Sequence, residues 1–211
     1  MKVWLAQKTL GIRRVWWRIW SKVYRWLFHR KYLGVDLDRG LTPIDAQNRM
    51  NKLSWTRDGI RELRDSVGSP HWVQYAIHQL DQGLGQPDGA LDCDDFACWM
   101  AHAVDPAFIP RMVSVQYQKQ DGSPAGHMVC MVHLDKRIDG RVAHGGNWGL
   151  SLGFASFQEL LDDITRRAKA RLIGWYVMRP DLSKVAGGLT RADAVAYDVK
   201  RVQQAHGGEG R

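Results

Sequence analysis

The chain has little cysteine, no long apolar run, and no acidic residue in the stretch where it is most basic. Three cysteines, Cys93, Cys98 and Cys130, are too few and odd in number for a disulfide framework. At least one thiol is therefore free, and a reducing compartment is the simpler expectation. The first 34 residues contain no run of about 18 apolar residues, so they do not read as a membrane-spanning helix. Arginines interrupt any apolar core there, which argues against a secretory signal. Residues 1–34 carry nine Lys/Arg and no Asp or Glu, whereas the remainder holds 21 basic and 22 acidic residues. The formal charge of +8 thus belongs to one segment, and the rest of the chain is not composed like a nucleic-acid-binding domain.

That segment holds five of the ten tryptophans. Ile12, Val15, Trp16, Ile19, Val23, Trp26 and Leu27 recur at helical spacing, with Arg14, Arg18, Lys22 and Arg25 mostly on another face. The pattern predicts a basic amphipathic helix. Its apolar stripe either packs on its own domain or meets a membrane surface or an acidic protein through Trp16, Trp17, Arg18, Trp20, Arg25 and Trp26. An acid-free, Arg-rich start also fits an organelle transit peptide. The expected locations are cytoplasmic or virion-associated, with peripheral membrane attachment as an option.

Beyond Gly34 the periodicity changes twice. Thr42-Pro43 opens a short helix, residues 56–66 predict another that ends at the Gly68-Ser69-Pro70 turn, and residues 71–84 a third. Asp92 is a good N-cap, and Asp95 three residues later completes a capping box before the apolar run FACWMAHAV. RMVSVQYQK then alternates as a strand, HMVCMVHL is a continuous apolar strand opened by His127 after a Gly126 hinge, and VAHGGNWGL is a third. Ser156 and Glu159 cap a helix, LIGWYVMRP is a further strand, and TRADAVAYDVKRVQQA a final helix. Helices followed by an antiparallel sheet give an α+β class with one core over residues 35–205 and a disordered tail at 206–211.

The chemistry concentrates in LDCDDFACWM, residues 91–100. Cys93 falls at the first position of a buried helix, where unpaired amides and the helix dipole favour a thiolate, while Asp92, Asp94 and Asp95 oppose it. A metal is not expected, because DCDDFA lacks the calcium-loop pattern and the Cys93/Cys98 spacing is poor for zinc. Cys98 and Cys130 read as core thiols. Trp99, Trp148 and Trp175 read as core or groove walls, and His102 as a packing residue. His127 can serve as a base, with His133 and His144 as rivals. Asn147 in HGGNWG can orient the imidazole, although Gly-Gly-Asn also suits a turn.

A loop, then DCDDFA on a helix, GHMVCMV on a strand and a polar residue on the next strand together resemble the transglutaminase-like cysteine peptidase superfamily, related in architecture to papain. The resemblance covers roughly residues 50–150, and bacterial and phage members typically read GDC(D/E)D(F/Y)A around the nucleophile. It implies Cys93 as nucleophile, His127 as base holding the thiolate in an ion pair, and Asn147 as orienter, with Asp139 as an alternative. It also implies the Cys93 amide as an oxyanion donor, with a second donor among Trp72, Gln74 and Gln86, and no cofactor. Leu91 departs from the family's glycine, and Asn147 from its usual aspartate. The implied activity is hydrolysis of a peptide or amide through a thioester. Transglutaminase-type acyl transfer, or a non-catalytic docking role in a virion or membrane assembly, are the alternatives.

Overall fold

The alternating and continuous apolar runs after residue 110 pair into a five-stranded antiparallel sheet, on which the helices pack from both sides. The computed structural model describes residues 16–17, 19–55, 69–88 and 91–207. An N-terminal helix, α1, is described at residues 16–17 and 19–28. It is followed by α2 (Pro43–Met50), α3 (Pro70–Asp81) and α4 (Cys93–Ala103). Then come β1 (Arg111–Gln118), β2 (Pro124–His133), β3 (Val142–Gly145), α5 (Phe157–Arg167), β4 (Arg171–Met178), β5 (Lys184–Gly188) and α6 (Arg191–Gly207). The sheet order is β3-β2-β1-β4-β5, and every neighbouring pair is antiparallel. The α+β class expected from the sequence is the one observed.

Strand alternation divides the core in two. Met112, Met128, Cys130, Val132 and Met178 face α4, which is backed by α3 and α2. Val113, Val115, Val129, Met131, Trp175 and Val177 face α5 and α6. Each set is apolar on both partners, so a one-residue slip would drive both faces into the wrong layer. Gly145 is fixed by close approach, because a Cβ there would stand 2.5 Å from the Met100 side chain of α4.

The helix starts follow local chemistry. Thr42 accepts from the Asp45 amide ahead of Pro43. Ser69 accepts from the His71 amide, so Ser69-Pro70 opens α3 one residue before the expected start. Ser156 caps α5 by accepting from the Glu159 amide, but the Glu159 carboxylate takes the amide of Ala155, one residue outside the expected box. The helix expected at 56–66 and the last four residues lie outside the described residues. Residues 206–207, expected in the tail, belong to α6 instead.

Two strands differ from the sequence reading. β2 begins at Pro124, so His127 is its fourth residue. Gly126 is no hinge; it pairs in the ladder with Gln116, whose amide fills the space a Cβ would need. β3 stops at Gly145, which leaves Asn147 in the turn beyond it, closed by the Gly149 amide on the Gly146 carbonyl. β5 was not anticipated because Lys-Val-Ala-Gly-Gly carries almost no alternation.

Helix α1 is turned over relative to a core-facing reading. Ser21 is fully buried, Trp17 packs against the α4-side core, and the Arg25 guanidinium donates to Cys98 Sγ at 3.0 Å. Trp16, Ile19, Val23, Trp26 and Leu27, the apolar stripe, face solvent. Trp17 and Arg25 contact the domain and Trp20 buries its Nε1, while all three stay partly exposed; Arg18 lies outside the described residues. No helix among the described residues is long and apolar enough to cross a membrane.

Candidate active site at the start of the central helix

The start of α4 is built by its capping aspartates. The Asp92 carboxylate accepts from the amides of Asp94 (2.9 Å) and Asp95 (3.4 Å), and Asp95 returns a carboxylate oxygen to the Asp92 amide at 3.4 Å. This reciprocal box fixes the backbone at Cys93, the first helical residue. Cys93 is half-buried, whereas Cys98 and Cys130 are sealed in the core. The Cys93 thiol donates to Asp94 Oδ1 over a long 3.6 Å contact. Asp92, Cys93 and Asp94 offer ligand atoms within 4.8 Å of one another, but capping and the thiol contact account for that grouping.

Cys93 packs against the α4-side core. Its charge reaches Tyr117, whose phenol is raised first by burial and then by Cys93. The Tyr117 hydroxyl meets the carbonyl of Gly126, next to His127, at 3.5 Å. The His127 ring itself lies in register with Val115, on the sheet layer that faces α5, and stacks on Trp148 with ring centroids 3.7 Å apart. Its Nε2 is buried with no hydrogen-bond partner, and so is Oδ1 of Asn147, the residue before Trp148. Burial, with a smaller push from His144, lowers His127 to about 3. The imidazole is therefore neutral near pH 7, and it lies on the α5-facing side of the sheet, whereas Cys93 packs with the α4-side core.

The proposed second oxyanion donors serve other ends. Gln74 is fully committed: its Oε1 accepts from Trp99 Nε1 (2.8 Å) and the Asp38 amide (3.0 Å), and its Nε2 meets Asp38 and His78. Gln86 forms a two-way clasp with the Ser54 backbone. Trp72 is buried in an aromatic cluster with His29, Tyr32 and Tyr75. Asp139 pairs with Arg137 in the β2–β3 turn, and His133 bonds the Arg137 carbonyl. Both lie at the opposite end of β2 from His127, roughly 20 Å away at strand rise, so neither belongs to this site.

No protein-family model matches the chain, and no curated protein matches it. Geometry alone must carry the reading.

Three residues that the sequence did not single out as site components shape this end of the sheet. Gln47 on α2 grips the peptide group of Gly146 in both directions, with Nε2 donating to its carbonyl (2.9 Å) and Oε1 accepting its amide (3.1 Å). Its signal was a polar residue on the face shared by Ala46 and Met50. His144 donates Nε2–H to Asp163 Oδ2 at 2.9 Å, both buried, which leaves His144 Nδ1 as a buried acceptor without a partner. Burial lowers His144 and would raise Asp163, but His144, Arg167 and Arg166 together hold that carboxyl below its ordinary value. Asp163 could have been suspected as a carboxylate on the apolar face of α5, between Leu160 and Ile164. Arg167, 2.7 Å from Asp163, also reaches the Trp148 carbonyl at 3.4 Å. Gln47 and Arg167 thus hold the turn that presents Asn147 and Trp148 to His127.

Proposed function

We propose that the protein is a cysteine hydrolase of peptide or amide bonds with a transglutaminase-like core. In this reading Cys93 is the nucleophile, His127 the base and Asn147 the orienter. What supports it is a half-buried thiol at a helix N-terminus, and a neutral imidazole on the sheet whose Nε2 and the Oδ1 of Asn147 are complementary buried orphans. Catalysis in this reading requires His127 to turn toward the α4 face, with an Nε2–H···Oδ1 bond satisfying both orphans and Nδ1 left as the proton acceptor. The Cys93 thiol then attacks the carbonyl carbon as its proton passes to Nδ1. The C–N bond breaks, and the proton moves to the leaving amine. Water, deprotonated by the same nitrogen, hydrolyses the thioester and restores the thiol. The Cys93 amide is the oxyanion donor the geometry offers. Attack by a second amine in place of water would give acyl transfer.

p-Nitrophenyl acetate tests the reading. Wild type should be acetylated at Cys93 and turn over. Cys93→Ala should release nitrophenol no faster than buffer, and His127→Ala should acylate slowly. Equal turnover in wild type and Cys93→Ala would remove the hydrolase. A non-catalytic docking role is the second reading, and the solvent-facing apolar stripe of α1 favours it.

A further inference from the structure

We propose that the outward ridge of α1 docks the protein on an anionic lipid surface, independently of any chemistry at Cys93. The ridge is fixed in place. Ser21 is buried, Arg25 donates to Cys98, and just past the helix the Ser69 amide donates to His29 Nδ1 at 2.8 Å. These anchors hold the opposite face of the helix against the domain, so the exposed face is not free to roll inward. Trp16 is 68% exposed, Ile19 52% and Trp26 64%, with Val23 and Leu27 in the same row. Their spacing of three and four residues lines them along one side of a helix about 20 Å long.

Exposing two indoles and three aliphatic side chains together is costly unless something covers them. Three features choose the cover. The ridge is the convex side of a single helix, a shape that suits a planar, deformable boundary. Tryptophan is the side chain most at home in the headgroup region. The surrounding sequence, residues 1–34, carries nine Lys/Arg and no acid, which complements lipid phosphate rather than a neutral surface. Lys22, within the helix beside Val23, and Arg30, just past it, are both exposed.

The test is co-sedimentation of the full chain with phosphatidylcholine vesicles, with or without about 30% phosphatidylglycerol. The proposal expects binding to the anionic vesicles only, weakened by about 0.5 M NaCl as screening shortens the electrostatic reach. The double variant Trp16→Ser/Trp26→Ser should bind about tenfold more weakly, because it removes two interfacial anchors. Both indoles lie outside the core, so its thermal midpoint and Cys93 alkylation rate should match wild type. No binding to anionic vesicles overturns the proposal, as does wild-type binding by the double variant. Self-association that the double variant abolishes would assign the ridge to a second copy. Retention on immobilised polyglutamate without vesicle binding would assign it to an acidic protein; either result also overturns the proposal.

Discussion

Gln47 and Gly146, 99 positions apart, are joined by two hydrogen bonds that tie α2 to the turn beyond β3. That turn carries Asn147 and the indole stacked on His127. A side chain on one layer of the fold therefore sets a loop whose Trp148 faces the other. Gln47→Leu keeps the volume but leaves a buried amide and carbonyl unsatisfied. Urea unfolding should show a loss of about 2–4 kcal/mol. Because the loop loosens as well, alkylation of Cys93 should lose part of its dependence on His127.

The Asp163 carboxylate fixes the tautomer of His144 and is itself balanced by Arg166 and Arg167. Asp163→Ala removes one partner from a buried charged cluster and should cost about 3–5 kcal/mol. In Asp163→Asn the carboxamide can still accept the His144 Nε2–H but carries no charge to hold it. Nitrogen NMR of labelled histidine should then report a mixture of His144 tautomers where wild type shows a single Nε2–H form.

Acid should destabilise the protein well above the carboxylate range. Burial lowers His29 to about 4, His127 to about 3 and His133 to about 4. His29 must also stay neutral to accept the Ser69 amide. Because these folded-state values lie below that of an unfolded histidine, about 6.5, the unfolded chain binds more protons as pH falls. Stability is full above pH 6.5 and declines from there to about pH 3–4, by about 1 kcal/mol per pH unit for each of these histidines. Chemical denaturation at a series of pH values reads this directly, and His29→Gln should flatten the decline.

At the start of α4 two aspartates play separable parts. Asp92→Ala removes the side-chain acceptor for two amides and should lower stability by about 1–2 kcal/mol, while Asp92→Asn should cost far less. Asp94→Asn removes the negative charge that receives the thiol, and should raise the alkylation rate of Cys93 by about two- to fivefold. Mass spectrometry of the alkylated peptide distinguishes Cys93 from the sealed Cys98 and Cys130.

The parts of this fold that were legible in the sequence are those governed by local rules. The Asp92–Asp95 box, the Thr42-Pro43 start and the core placement of Cys98 and Cys130 follow from residue type and spacing alone. The reading weakened where a choice depended on long-range partners. The stripe of α1 has helical period, but period cannot say which face the domain will take, and here it takes the face with Ser21 and Arg25. Gln74 looked available for chemistry until Asp38, His78 and Trp99 closed around it. Gln47 and Asp163 went unnoticed because their partners are Gly146, 99 residues away, and His144, 19 residues away. His127 is a candidate by motif and order, and its burial and stacking on Trp148, which make it neutral, are products of tertiary packing.

The central claim is that His127 activates Cys93, and the most direct measurement is the rate of Cys93 alkylation by iodoacetamide across the neutral range in wild type, Cys93→Ala and His127→Ala. The account predicts a Cys93-specific rate that exceeds that of an ordinary thiol and drops at least about tenfold in His127→Ala, the lower end of what a positioned base contributes. A wild-type rate unchanged by His127→Ala, rising only as an ordinary thiol ionises near pH 8.5, would contradict it.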